Sequence, residues 1–120
     1  MDYEFTLGAP ITEQEALEQV AAMGLHGLAF DDVHEVDETL HWHEFEGVAF
    51  VISGTGSFAD ENGNVTQLQP GCQLRTPAGW LHRTLAGTRG RVVIGTNLPY
   101  EVWTSPIDKD PADRPATLSM

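Results

Sequence analysis

The stretch LHWHEFEGVAFVISG, from Leu40 to Gly54, decides the fold. Two histidines, His41 and His43, flank one tryptophan, and an apolar run follows at once. On a β-strand the side chains at positions i and i+2 point to the same face, so these two imidazoles project together. The run over residues 47–54 has no polar alternation, which predicts a strand that is covered on both faces.

Short apolar runs separated by turn residues continue after this stretch. Asn62-Gly63 is typical of a hairpin turn, and Pro70-Gly71 marks another turn. Further strands are predicted over residues 72–76, 80–86 and 91–97, and over the run YEVWT from Tyr100 to Thr104. Strands that recur about every ten to twelve residues predict an all-β sandwich or barrel.

One helix is predicted before the strands. Thr12 followed by Glu15 fits a capping box, and Gly24 suits the end of a helix. The residues between them that form one apolar face are Ala16, Leu17, Val20, Ala21 and Met23.

The length of 120 residues fits one domain. We expect an N-terminal arm and helix over residues 1–27, a β-barrel over 28–106, and a loosely ordered tail over 107–120. The tail is polar, carries prolines and shows no periodicity.

The net charge of −12 argues against nucleic acid and anionic membrane surfaces as partners, because both attract basic proteins. The N-terminus is acidic and lacks the features of a secretory signal. With a single cysteine, Cys72, no internal disulfide can form, and we expect a cytoplasmic protein in which this thiol is buried. We also expect a homodimer, because the helix and the bulky face of the central strand need cover.

A third histidine offers a further metal ligand. His82 follows the turn Pro77-Ala78-Gly79 and begins a separate short strand. Imidazole binds several divalent transition metals, and two ligands are rarely enough to hold one. The pattern therefore predicts one divalent ion, Fe, Zn, Mn or Ni, at His41, His43 and His82.

These segments resemble the two sequence motifs of the cupin family. The first motif matches His41-Trp42-His43, three residues, Gly47, six residues and Gly54; the second matches Gly71, five residues, Pro77-Ala78-Gly79 and His82. The resemblance covers about residues 40–97. It implies a double-stranded β-helix barrel of the jelly-roll form, with a metal in its mouth and the three histidines as ligands.

The chain departs from the motifs at three positions. Glu35 stands where the first motif opens with glycine, Ala86 stands where the second ends with asparagine, and Gly47 stands where the family has its metal-binding glutamate. Glu46 is the candidate to replace that carboxylate if a bulge redirects it, and Glu44 is a weaker candidate. The alternative is that both are solvated carboxylates at the rim.

Three neutral histidines would leave at least one open coordination position, as catalytic sites do. The resemblance then implies a three-His Fe(II) dioxygenase acting on a small molecule. With Zn or Ni the same site would suit an isomerase or a lyase on a small acid. The alternative is a non-catalytic barrel that binds a metal or a small ligand, and a sensory module of a larger regulator is a third interpretation. Arg75 would anchor a substrate carboxylate if its face points into the barrel, and would be a surface charge if it points outward.

Overall fold

A computed structural model describes residues 3–115. Within them the chain forms mostly antiparallel β-structure with a single α-helix. In chain order the elements are β1 (Glu4–Thr6), α1 (Glu13–Ala22), β2 (His26–His34), β3 (Gly47–Asp60), β4 (Val65–Leu68), β5 (Gln73–Thr76), β6 (His82–Thr84) and β7 (Thr88–Thr96). The prediction of an all-β barrel with a short N-terminal helix is confirmed.

The long central strand β3 takes part in two sheets. Its first part lies between β5 and β7 in a sheet of order β1-β5-β3-β7-β2. Its last part, from Gly56 to Asp60, pairs with β4 and β6. One strand therefore joins the two walls of the barrel.

Gly54 allows β3 to cross between the sheets. The register of β3 against β7 shifts between Val51 and Ser53, and Gly54 then adopts a φ of 88°. A Cβ atom at Gly54 would overlap the carbonyl oxygen of Arg89, so the crossing also requires a residue without a side chain.

Helix α1 begins as the sequence predicts. The Thr12 side chain accepts a hydrogen bond of 3.1 Å from the Glu15 N–H, and the Thr12 N–H donates one of 3.0 Å to the Glu15 carboxylate. This reciprocal pair satisfies two N–H groups that have no partner inside the helix. The predicted capping box is confirmed.

The helix covers the outer face of the first sheet. Ala16 and Val20 are fully buried and pack against Val48, Phe50 and Val93. The bulky face of β3 is thus covered within the chain. That face no longer argues for a partner subunit, and the homodimer stays a prediction.

The inner face of the first sheet forms a second apolar cluster. Its buried members are Val51, Cys72 and Val92, and Phe5 and Phe30 pack against them. Burial raises the pKa of the Cys72 thiol, which keeps it protonated and unreactive. Cys72 is therefore a buried structural residue, as expected.

The strand predicted over Tyr100–Thr104 is wrong. Residues Tyr100–Val102 form a turn of 3₁₀ helix, and the Trp103 indole N–H folds back to donate to the Leu98 carbonyl at 3.1 Å. Aromatic and β-branched residues favour a strand only where a neighbouring strand edge is present to pair with.

Residues 104–110, which we call the C-terminal strap, lie against the segment that carries His41 and His43. Trp42 and Lys109 form an antiparallel bridge with N···O distances of 3.2 and 3.0 Å. The Trp42 indole N–H also donates to the Asp110 carbonyl at 2.8 Å. The described part of the expected tail is thus held by hydrogen bonds. Residues 116–120 of that tail lie outside the described residues, and the proposed division of the chain at residues 28 and 106 stays a prediction.

Within residues 3–115, no helix combines the length and the apolar character that crossing a membrane requires.

Candidate metal centre

Backbone pairing brings the three predicted histidines to one face. His41 and His82 form an antiparallel bridge, in which each backbone N–H donates to the other's carbonyl at 3.0 Å. Residues directly opposite in such a ladder place their side chains on the same face. His43 lies two residues after His41 and shares its face.

The three imidazole rings form a triangle. The ring centroids of His41 and His82 lie 4.5 Å apart, those of His41 and His43 5.1 Å, and those of His43 and His82 5.0 Å. One ring nitrogen of each residue lies within 4.8 Å of one ring nitrogen of each other residue. Two nitrogens bonded to one tetrahedral ion at about 2.1 Å lie about 3.4 Å apart, so the three nitrogens are near the spacing that one ion requires.

Each imidazole is oriented by a backbone carbonyl. The bonds from Nδ1 are His41 to Thr39 O at 2.7 Å, His43 to Ile107 O at 3.0 Å and His82 to Trp80 O at 3.0 Å. A carbonyl oxygen can only accept a hydrogen bond, so Nδ1 must carry the proton in every ring. Nε2 is then the nitrogen available to an ion, which is how metal-binding histidines are commonly held.

The surroundings keep two of these rings neutral. Burial, together with the neighbouring His43 and His41, lowers the pKa of His82 to about 3. Burial also lowers the pKa of His43, although the Ile107 carbonyl opposes the shift. Neutral imidazole is the form that binds metal, so both rings are ready to act as ligands at neutral pH.

Aromatic side chains fix the positions of two rings. Trp80 is buried and stacks on His82 with a centroid distance of 4.4 Å. Phe45 stacks on His43 at 5.0 Å, and Trp103 stacks on Phe45 at 4.4 Å. These contacts restrict rotation of the His82 and His43 rings.

Two carboxylates lie next to His41. Its Nε2 is 3.6 Å from Oδ1 of Asp108 and 3.9 Å from Oε1 of Glu38. These three side chains form a second group with the spacing to hold a metal ion. Asp108 Oδ1 is also 3.7 Å from Nδ1 of His43, so this carboxylate lies between two of the histidines.

Glu44 holds the strap in place. Its Oε2 accepts hydrogen bonds from the backbone N–H and the hydroxyl of Thr104 at 2.7 and 2.8 Å, and it lies 3.5 Å from Lys109 Nζ. Burial alone would raise the pKa of Glu44, but the Thr104 hydrogen bonds and the Lys109 charge lower it, so the carboxylate is ionised. The Lys109 ammonium in turn donates to the Pro106 carbonyl at 2.7 Å.

A cleft of about 590 Å³ has one of the three histidines, His41, in its wall, while His43 and His82 do not line it. His41 and Asp108 form part of its wall, and Trp42, Lys109 and Pro106 are among its other lining residues. The volume is in the range of small-molecule sites.

Residues 31–95 match the family model described as Cupin domain. The chain belongs to this family. The match includes both histidine segments and most of the sheet, so the resemblance seen in the two motifs is confirmed.

Solved structures resemble this chain at low sequence identity. A DUF861 family protein from Thermotoga maritima is 15% identical, with a TM-score of 0.54 over 79% of this chain and 99% of that chain. An acireductone dioxygenase from Bacillus anthracis, solved with a cadmium ion in its active centre, is 20% identical, with a TM-score of 0.49 over 82% of this chain and 68% of that chain. No curated protein matches the sequence.

The structure does not bring Arg75 and Glu46 to the histidines of this cupin. Arg75 pairs with Val48, which packs under α1, so it lies on the outer face of the sheet, where its guanidinium is 3.5 Å from the Met23 sulfur. Glu46 is exposed and belongs to neither group of potential metal ligands among the described residues. Both residues instead line a separate depression of about 360 Å³. Their positions give no support to a substrate anchor at Arg75 or a fourth ligand at Glu46.

Sequence reasoning missed the residues that the cupin motifs do not contain. Asp108 and the Ile107 carbonyl come from a segment whose composition predicts a loose tail, and Glu38 precedes the first histidine motif. The one available signal was that Asp108 and Lys109 follow a run with two aromatic residues, Tyr100 and Trp103, which indicates packing rather than a free end.

Proposed function

We propose that this cupin binds one divalent transition metal through His41, His43 and His82 and acts with it on a small molecule. The observation that carries the proposal is the set of three Nδ1–H bonds to backbone carbonyls, which leaves Nε2 of each ring as the nitrogen available to an ion. Three nitrogens in this arrangement suit Fe, Zn or Ni better than hard ions such as Mg or Ca.

The surrounding residues orient the histidine ligands, and a cleft lies next to one of them. Neutral imidazoles would leave the positive charge of the ion undiminished, and a cleft of small-molecule size has His41 in its wall. When bound, the ion would supply Lewis acidity or, as Fe(II), the oxidative chemistry of a dioxygenase. A three-His Fe(II) dioxygenase is the sharpest form of the proposal, and an isomerase or a lyase on a small acid is its form with Zn or Ni.

Metal analysis of protein purified without chelators tests the site. We expect about one ion per chain, and a marked increase in melting temperature when the metal-free protein is loaded. His41→Ala and His82→Ala should each weaken Co(II) or Zn(II) affinity at least ~100-fold, because each removes a ligand. The matched control is His26→Ala, which changes an exposed histidine at the start of β2. Full stoichiometry and affinity in either ligand variant would show that the site is misassigned.

Oxygen uptake tests the reaction. The protein loaded anaerobically with Fe(II) should consume O2 with a thiol, a diketone or a small hydroxy acid, and the His82→Ala protein should not. If metal binds at the three histidines and no substrate of these classes is turned over with Fe(II), Zn(II) or Ni(II), the catalytic part of the proposal fails.

One observation favours the non-catalytic alternative. The carboxylates of Glu38 and Asp108 lie 3.9 and 3.6 Å from Nε2 of His41 and form with it a second group of potential ligands, so either could close the coordination sphere by moving onto an ion at His41. A tetrahedral ion with four protein ligands keeps no open position, as in structural zinc sites. Under this alternative the metal raises the melting temperature and no turnover is seen.

A further inference from the structure

We infer that the free edge of strand β2 is an interface with a second copy of this chain, in which two β2 strands pair antiparallel about a two-fold axis at Phe30. The first sheets of the two copies then join into one continuous sheet. The inference does not depend on a bound ion, because none of the three histidines of the metal centre belongs to this strand.

Strand β2 is the end strand of the first sheet. All nine of its residues pair with β7 without a register shift, and within residues 3–115 no strand pairs with its other edge. Such an edge presents a row of unpaired N–H and C=O groups to any extended chain. Proline, lysine and bulges commonly protect edges from pairing, and β2 contains none of these.

The odd-numbered residues of β2 carry the backbone groups that face outward. The carbonyl of His34 accepts a hydrogen bond of 2.9 Å from the N–H of Gly87, in the turn that leads into β7, so the backbone of His34 faces β7. The direction of the backbone groups alternates along a strand. The residues whose N–H and C=O groups point away from β7 are therefore Gly27, Ala29, Asp31 and Val33.

The register that uses the whole strand is self-complementary. With the axis at Phe30, Asp31 lies opposite Ala29 of the second copy, and Asp32 lies opposite Leu28 of that copy. No carboxylate then lies directly opposite another. An axis at Asp31 would instead place two Asp31 carboxylates opposite each other, which destabilises a strand pair.

The two carboxylates of the edge have partners in their own chain. The Arg91 guanidinium donates to the Asp31 carboxylate at 3.3 Å, and a ring nitrogen of His34 lies 2.6 Å from Oδ1 of Asp32. A net charge of −12 opposes self-association in general. Because both carboxylates are engaged, the repulsion at this edge is smaller than the net charge alone would cause.

Pairing would cover apolar side chains on both faces of the strand. Leu28 and Val33 are 36% and 49% exposed. Val33 lies opposite Gly27 of the second copy, and a Cβ atom on Gly27 would lie only 3.1 Å from Leu17 of α1. Gly27 therefore leaves room for Val33 beside Leu17, so the apolar layer under α1 extends across the axis. On the other face the two Phe30 rings form a cross-strand aromatic pair.

Sedimentation equilibrium tests the interface. We expect the wild-type chain, of 13.1 kDa, to be a dimer at micromolar concentration. Asp31→Pro should raise the dimer dissociation constant at least ~100-fold, because it removes an outward N–H and places a ring next to the axis. The matched control is Asp31→Ala, which removes the same carboxylate but keeps the N–H, and it should change the constant less than about threefold. Circular dichroism shows whether each variant is folded.

Cysteine cross-linking tests the register. Leu28 and Asp32 of different copies form a pair without hydrogen bonds between them, in which the Cα atoms lie about 4.5 Å apart, within the range of a disulfide. A mixture of Leu28→Cys and Asp32→Cys proteins should therefore form a disulfide-linked dimer on mild oxidation. Each variant alone should stay unlinked, because its two cysteines lie four residues apart along the paired strands, roughly 13 Å. The native Cys72 is buried and does not interfere.

A wild-type chain that remains a monomer at micromolar concentration would overturn the inference. So would a dimer that is as tight in Asp31→Pro as in Asp31→Ala, or a mixture of the two cysteine variants that forms no linked dimer, because the chains would then meet at another surface. If Asp31→Pro does not fold, the cross-linking result alone decides.

Discussion

The barrel is covered by the chain on two sides, and the two covers are held by different forces. Helix α1 lies on the outer face of the first sheet through buried apolar contacts, such as Val20 against Phe50 and Val93. The C-terminal strap lies beside the histidines through hydrogen bonds and charges, such as those of Glu44 with Thr104 and Lys109.

This difference between apolar and polar contacts suggests that the helix serves mainly folding stability and the strap mainly metal binding. Burial of apolar surface is non-directional and supplies much of the folding free energy. Hydrogen bonds contribute less net free energy but fix the direction of individual groups. The strap uses that directionality, because it supplies the carbonyl that orients His43 and the carboxylate beside His41. We therefore expect changes under the helix to act on unfolding, and changes at the strap to act on metal binding.

The largest expected effect is a loss of folding stability from a change under helix α1. Phe50→Ala should lower the free energy of unfolding by about 3–5 kcal/mol, because it removes a side chain that is 4% exposed and leaves a cavity. Urea unfolding of the metal-free protein measures this loss, with Leu7→Ala, at a residue 65% exposed, as the matched control. Phe50→Leu, which retains more of the volume, should lose less and remain folded. A loss below about 1 kcal/mol in Phe50→Ala would show that α1 does not hold the sheet by burial.

Low pH should lower the folding stability of the metal-free protein through His82. The pKa of His82 is about 3 in the folded state and has its ordinary value near 6.5 in the unfolded chain. As pH falls below about 6.5, the His82 imidazole binds a proton in the unfolded state but stays unprotonated in the folded state. Stability is therefore lost between about pH 6.5 and 3, by at most about 1.4 kcal/mol per pH unit from this residue, and is unaffected by it above pH 6.5.

Urea unfolding at a series of pH values measures this effect. His82→Gln should flatten the loss of stability in acid, and the same change at the exposed His26 should leave the profile as it is. An acid profile identical in His82→Gln and wild type would contradict the neutral, buried state of His82.

The smallest expected effect is at the strap. Glu44→Ala removes the acceptor of two Thr104 hydrogen bonds and should cost about 1–2 kcal/mol of stability. It should also weaken Co(II) binding, because the strap supplies the Ile107 carbonyl that orients His43. Glu46→Ala is the matched control, since it changes an exposed glutamate two residues away. If Glu46→Ala weakened metal binding more than Glu44→Ala, Glu46 would act at the site and the structural account of the strap would be wrong.

The parts of the fold predicted from the sequence are those specified by nearby residues. The capping box of α1 joins residues three positions apart, and the shared face of His41 and His43 follows from the two-residue period of a strand. His82 could be added because a Pro-x-Gly turn precedes it in a family motif.

The parts that could not be predicted depend on long-range pairing of polar groups. Nothing near Lys109 in the sequence indicates that it pairs with Trp42, and this one bridge places Ile107 and Asp108. The wrong strand at Tyr100–Thr104 has the same cause, since strand-forming residues adopt that conformation only with a partner edge. Arg75 was ambiguous because alternation along a strand separates two faces without saying which of them points inward.

The continuity of β3 ties these two regions into one cooperative unit. Its fourteen residues run from the sheet under α1 to the ladder with β6, where His82 lies. The sheet at either end cannot come apart without breaking the same strand, so an ion held at the histidines should slow amide hydrogen exchange beneath the helix, at positions it never touches.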